Sequence, residues 1–165
     1  EADCVSSRKP GAGHMNCRVE IVGGFEDLAP RVSLEKLGCD DSHLLFGGTL
    51  DDSDERMREL GVAVVLATRG ADGAFVRADV LGDEELLAPI AELPGQIVDT
   101  MGAGDATLSA VVAALATGGD PDGAEAWRET LDQAMLIAAA TCRFEGALLR
   151  TPSELRDVDL DSLGT

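Results

Sequence analysis

Tyrosine is absent from this chain of 165 residues, and one tryptophan and four phenylalanines are its only aromatic residues. The core therefore has to be aliphatic, built from the Ala, Val, Leu and Ile of a 45% hydrophobic composition. Such a core suits helices packed on a parallel sheet. Lysine is almost missing: Lys9 and Lys36 are the only ones among 13 Lys+Arg, set against 31 Asp+Glu for a formal net charge of −18. That balance excludes nucleic-acid binding, which needs a basic footprint, and an anionic membrane surface as a partner. It fits a solvated surface adapted for solubility, including in a salty cytoplasm. No apolar run has the length of a membrane span, and repeats and low-complexity tracts are lacking. The four cysteines, Cys4, Cys17, Cys39 and Cys142, form no Cys-x-x-Cys pair. His14, Cys17, Cys39 and His43 have spacings unlike those of the common zinc modules, so the thiols read as reduced and cytoplasmic, with Cys142 packing in an apolar helix. Two nucleotide motifs are also missing. There is no Gly-x-x-x-x-Gly-Lys-Ser/Thr loop, and Gly102-x-Gly104 lacks the third glycine of a dinucleotide fingerprint.

What the chain does have is Asp99-Thr100-Met101-Gly102-Ala103-Gly104-Asp105-Ala106. The apolar stretch Gln96-Ile97-Val98 runs into it and an alanine-rich helical pattern leaves it. Glycines there let a ligand approach the backbone, and amides at a helix start favour an anion. Asp105 would repel a phosphate as a binder but suits a base that takes a proton from a hydroxyl while the backbone holds a phosphoryl group. A second feature is the continuous apolar run Val62–Ala67, the pattern of a strand buried on both faces. It ends in Thr68-Arg69-Gly70-Ala71-Asp72-Gly73-Ala74, a hairpin turn with a hydroxyl at a strand's C-terminal end.

Asp-Thr-x-Gly-Ala-Gly-Asp, followed by Ser109-Ala110 and Val111-Val112, resembles the C-terminal signature of the ribokinase-like, PfkB-type carbohydrate kinases. The Thr68–Gly73 turn is similar to that family's Thr-x-Gly-x-x-Gly turn beside the nucleotide phosphates. The segment 138–147 and Pro152 resemble its last long helix and Gly-Ala loop. Arg31–Leu37 resembles the Val-Ser-x-Glu-Asp-Leu segment of fructokinase-like members, with Lys36 at one acidic position, and Arg8-Lys9-Pro10 resembles an earlier strand end. The chain departs from the pattern at Cys4–Ser7, at Thr107 (where an aromatic is common) and at Arg150. The likeness covers the C-terminal half of such a kinase. Gly47-Gly48 does not stand in for the sugar-binding Gly-Gly motif of the N-terminal half. With its opening Glu1-Ala2-Asp3-Cys4-Val5, the sequence is expected to be a fragment.

The resemblance implies a three-layer α-β-α ribokinase-like fold, with 1–60 as a partial central region and 61–165 as the nucleotide-binding and catalytic part of the same domain. It implies transfer of the ATP γ-phosphoryl to a sugar hydroxyl, fructose or a keto-deoxy sugar acid leading. Asp105 is then the general base, with the amides of Gly102, Ala103 and Gly104 around the transferring group. Thr68, Gly70, Gly73, Ala138, Thr141 and Cys142 border ATP. Mg²⁺ accompanies the nucleotide, and Asp99 and Gly146 help hold a monovalent cation, K⁺ by the family's preference. The partners implied are a sugar and ATP, with a homodimer in the whole protein. Two other readings stay open: a nucleotide-binding fragment or pseudo-kinase without turnover, and a non-catalytic acidic α/β domain with a role in assembly.

Periodicity and end signals predict helices over 51–60, 104–117 and 124–144, strands over 62–68, 73–78 and 96–99, and a last helical turn at 153–156. The stretch 83–94 is expected to hold short strands, as in the family.

Overall fold

The computed structural model describes residues 22–156. Helix α1 covers 22–28, and a 3-10 turn at Ala29–Arg31 leads into strand β1 (Leu34–Gly38). Helices α2 (Cys39–Leu45) and α3 (Leu50–Glu59) then carry the chain to β2 (Val64–Thr68). Because β1 and β2 are parallel, with Lys36 opposite Leu66, a crossover of this kind has to join them. The start of α3 is set by a reciprocal cap: Thr49 Oγ1 accepts from the Asp52 N–H at 3.1 Å, and Asp52 Oδ2 accepts from the Thr49 N–H at 2.8 Å. Two orphan amides are satisfied in this way. After β2, a tight turn reverses the chain into β3 (Ala74–Ala78), and β4 (Leu86–Ala88) adds a further antiparallel strand. The sheet order is β1-β2-β3-β4. It is therefore mixed, and only its first pair has the parallel arrangement expected from composition.

Continuous apolarity in β2 and β3 follows from burial on both faces. Val65, Ala67 and Phe75 join Leu37, Leu50, Met57 and Val62 on the α3 side. Leu66, Ala74, Val76 and Ala78 face the other way, against Val111, Trp127, Leu131, Ala134 and Met135. Those residues belong to α4 (Ala103–Gly118) and α5 (Ala124–Thr141). Two cores on opposite faces of one sheet give the expected three α-β-α layers. Both sides of residue 60 contribute to that sheet, since β1 pairs with β2.

The expected helices and hairpin strands are all present, with ends shifted by a few residues. Strand β4 lies within the 83–94 stretch, and the last turn is a 3-10 turn at Glu154–Arg156. The stretch 96–99 is different: it is irregular, not a strand. A strand needs a neighbouring edge. Here the Val98 N–H instead donates to the Cys142 carbonyl at 2.8 Å, and Ile97 is 58% exposed. Arg143 organises the approach to this stretch. It is buried, and it donates to the carbonyls of Leu93 at 2.9 Å, Pro94 at 3.3 Å and Ala139 at 3.2 Å. The proposed contributions of Cys4–Ser7, Arg8-Lys9-Pro10, His14 and Cys17 lie outside the described residues. No helix among the described residues is long and apolar enough to cross a membrane.

Candidate nucleotide and phosphoryl-transfer site

The C-terminal ends of β1 and β2 and the N-terminus of α4 meet around a cavity of ≈ 630 Å³. Ligands of open α/β sheets bind beyond the carboxyl ends of strands, and a volume of this order suits a small-molecule site. Thr68, Gly70, Gly73, Ala103, Gly104, Ala138 and Cys142 all line it. Thr68 donates its hydroxyl proton to the Leu37 carbonyl at 3.4 Å. Gly73 is required twice over. Its φ is +87°, and a Cβ there would collide with the Ala88 carbonyl. Burial pushes the Cys142 thiol above its usual pKa, so it contributes as an apolar wall.

The Gly102–Asp105 turn is more differentiated than its sequence implies. Gly102 caps α4 in the left-handed region, with φ 82°. A Cβ on it would lie 2.8 Å from the Ala147 carbonyl oxygen and 2.9 Å from the Ala147 Cα. The Ala103 N–H is already engaged, donating to the Thr100 carbonyl at 3.2 Å to close the turn. This corrects the expectation that three successive amides are open to an anion. Among the described residues, the Gly102 and Gly104 amides carry no such bond. Asp105 sits on the first turn of α4, is exposed, and is not among the residues lining the cavity.

Asp99 and Gly146 are brought together outside the cavity wall. One carboxylate oxygen of Asp99 accepts the Met101 N–H at 2.9 Å and the other accepts the Gly146 N–H at 3.1 Å. Those two backbone bonds hold the Asp99 carboxyl below the usual carboxylate range. The pair clasps the turn before α4 to the loop after α5. Thr141 is fully buried and does not line the cavity. Its hydroxyl donates to the Ile137 carbonyl at 2.9 Å and accepts the Arg150 N–H at 3.1 Å.

Four charged residues in the wall were not singled out by sequence reasoning as members of this site: Lys36, Asp40, Asp41 and Arg69. The carboxylate that faces the cavity beside Lys36 is Asp41, at 3.5 Å, and not Glu35. Glu35 does not line the cavity, and burial followed by repulsion from Asp41 raises its pKa. Arg69 stacks over Phe75 at 4.3 Å and pairs with Asp51 at 3.0 Å and Glu85 at 3.7 Å. Alternation along β1 was the available signal: Leu37 is buried, so Lys36 has to project from the opposite face.

Glycine turns at strand ends, an anion-favouring helix start and a three-layer sheet define an α/β protein of the ribokinase fold. Residues 26–153 match the pfkB family carbohydrate kinases, and the chain belongs to that family. It is 29% identical over 129 residues to the ATP-dependent 6-phosphofructokinase of Thermoanaerobacterium thermosaccharolyticum, covering 78% of this chain and 37% of that protein. Identity to the 1-phosphofructokinase of Haloferax volcanii is 43% over 63 residues, 38% of this chain and 19% of the relative. Among solved structures, aminoimidazole riboside kinase from Salmonella enterica, in complex with aminoimidazole riboside and an ATP analog, superposes with a TM-score of 0.72 at 26% identity. That match covers 84% of this chain and 46% of the other. Fructokinase from Vibrio cholerae shares the fold, with a TM-score of 0.67 at 18% identity over 78% of this chain and 41% of its own. The chain thus spans less than half the length of each of these proteins.

Proposed function

We propose that these residues form the nucleotide-binding and catalytic part of an ATP-dependent sugar kinase that phosphorylates a hydroxyl of a fructose-type ketose or keto-deoxy sugar acid. The observation carrying this reading is the cavity shared by the Thr68–Gly73 turn and the start of α4, where Asp105 directly follows the lining residue Gly104. The names of the two phosphofructokinase relatives support a fructose-based acceptor.

In this reading the phosphate chain of ATP lies between the Gly70–Gly73 turn and the start of α4, with the base toward Ala138 and Cys142. The space for it is the part of the cavity lined by Gly70, Gly73 and Gly104. Mg²⁺ supplies charge neutralisation for the phosphates when bound, with Asp40 and Asp41 as the cavity carboxylates that would hold its water shell. Asp99 and the loop through Gly146 would hold the monovalent cation. Asp105 accepts the proton of the acceptor hydroxyl while that oxygen bonds to the γ-phosphorus and the bridging oxygen leaves with ADP. The Gly102 and Gly104 amides stabilise the charge on the transferring group.

The test is a coupled ATP-consumption assay of the whole protein over a panel of ketoses, with Asp105→Asn alongside. The variant is expected to lose on the order of 10²–10⁴ in kcat with nucleotide affinity retained. Near-full activity would overturn the assignment of Asp105. The exposure of Asp105 in this chain favours a second reading, in which these residues alone bind nucleotide without turnover.

A further inference from the structure

We propose that a second cavity, lined by α3 and by Arg77 of β3, is a binding site for an aliphatic polyamine. It has a volume of ≈ 470 Å³, and no residue lines both it and the nucleotide cavity. Its walls carry Asp51, Asp52, Asp54, Glu55 and Glu59 against Arg58 and Arg77. The residue that points to a ligand is Asp54. It is only 2% exposed, and its Oδ1 has no hydrogen-bond partner among the described residues. Its Oδ2 lies 2.9 Å from Arg77 Nε, but that N–H makes no aligned hydrogen bond, so the contact is Coulombic. Arg77 is shared in any case, with Nη2 held by Glu85 at 2.7 Å. Buried carboxylate oxygens are ordinarily satisfied. Asp54 therefore keeps acceptor capacity at the wall of an acidic cavity, and its burial raises the pKa of the carboxyl.

The arrangement of the other carboxylates indicates what kind of cation fits. Asp51, Glu55 and Glu59 follow one another at four-residue intervals along one side of α3, a rise of about 6 Å between neighbours. Like charges at this spacing repel, and a bridging cation relieves the repulsion. Asp51 and Glu59 meet Arg69 and Arg56 at 3.0 and 3.1 Å. Glu55 is exposed and enters no ion pair among the described residues. The acidic side chains also do not gather as a metal ion requires, for no group of three His, Cys, Asp or Glu that could hold one occurs among the described residues. Negative charge strung along a helix suits several ammonium groups joined by short methylene spacers. Each ammonium brings three donors and no acceptor, which is what an unsatisfied carboxylate oxygen lacks.

Calorimetric titration of the chain with spermine, in about 0.15 M KCl to screen diffuse attraction, compares the wild type with three single variants. The wild type is expected to take up one equivalent. Asp54→Asn keeps the side chain's shape and leaves Arg77 its Glu85 partner. It should weaken binding roughly 10- to 100-fold, the range for one charged hydrogen bond. Glu55→Gln, an exposed change that spares the core, should weaken it about 2- to 5-fold. Glu129→Gln removes the same charge from an exposed position on α5, across the sheet from α3. Screening over about 8 Å should hold its effect below about 1.5-fold. Absence of saturable binding would overturn the assignment. So would uptake of several equivalents, or equal weakening in all three variants, either of which would mean attraction to the −18 surface as a whole. Displacement of spermine by an equal concentration of Mg²⁺ would make this a divalent-cation site and overturn it as well. None of these outcomes bears on the kinase reading.

Discussion

Gly102 and Gly104 both belong to one short motif, yet alanine at each should have opposite consequences. At Gly102 the backbone is left-handed, with φ 82°, which disfavours an L-residue by about 1–2 kcal/mol. The new methyl would also meet the Ala147 backbone at 2.8–3.1 Å, and backbone atoms cannot turn aside as a side-chain tip does. Overpacking of this kind is worth about 1–3 kcal/mol. If the exposed loop at Ala147 withdraws to relieve it, the Gly146 N–H to Asp99 bond is strained or lost instead. Gly102→Ala should therefore lower unfolding free energy by about 2–5 kcal/mol. Gly104 lies within α4 and has no positive φ, and its Cβ would meet only the flexible Lys36 Nζ and Cε at 3.1 and 3.4 Å. Alanine is favoured over glycine in helices by about 1 kcal/mol. Displacing the Lys36–Asp41 pair takes back at most about the same amount. Gly104→Ala should range from neutral to about 1 kcal/mol more stable. Urea unfolding monitored by the fluorescence of the single tryptophan, Trp127, buried between helices and sheet, reads both variants. Equal losses in the two, or a Gly102→Ala variant within about 0.5 kcal/mol of wild type, would refute the reasoning.

The Asp99 clasp should show an acid-side pH dependence. Its folded pKa is lowered by the Met101 and Gly146 amides, so its contribution is present above the unfolded value of about 3.9 and disappears as pH falls through the lowered one. Amide NMR shifts of Met101 and Gly146 should titrate together with a midpoint below about 3.9, and a midpoint at or above that value counts against the clasp. The −18 charge predicts a second, global response. Raising KCl from about 0.1 to 1 M shortens the screening length from about 10 to 3 Å and relieves self-repulsion, so the unfolding temperature should rise. A fall across that range would mean that the surface ion pairs outweigh the repulsion.

The parts of this protein legible in its sequence are those governed by neighbours in the chain. Helix ends at Thr49 and Gly102, the Thr68–Gly73 turn and the two-faced burial of Val64–Ala67 depend on caps, glycines and periodicity within a few residues. The sequence therefore determined the three layers and the position of Asp105 on an anion-favouring helix start. Tertiary structure decided the rest, because each remaining feature needs a partner distant in the chain. Residues 96–99 look like a strand but find no edge to pair with, and the Cys142 carbonyl takes the Val98 amide instead. The Ala103 amide is drawn off by a turn to Thr100. Lys36 and Gly104, on separate elements, come within 3.1 Å of a Cβ contact only after β1 docks beside β2 and α4 covers the sheet. Local propensity encodes none of these meetings; they follow from packing an aliphatic core on both faces of one mixed sheet.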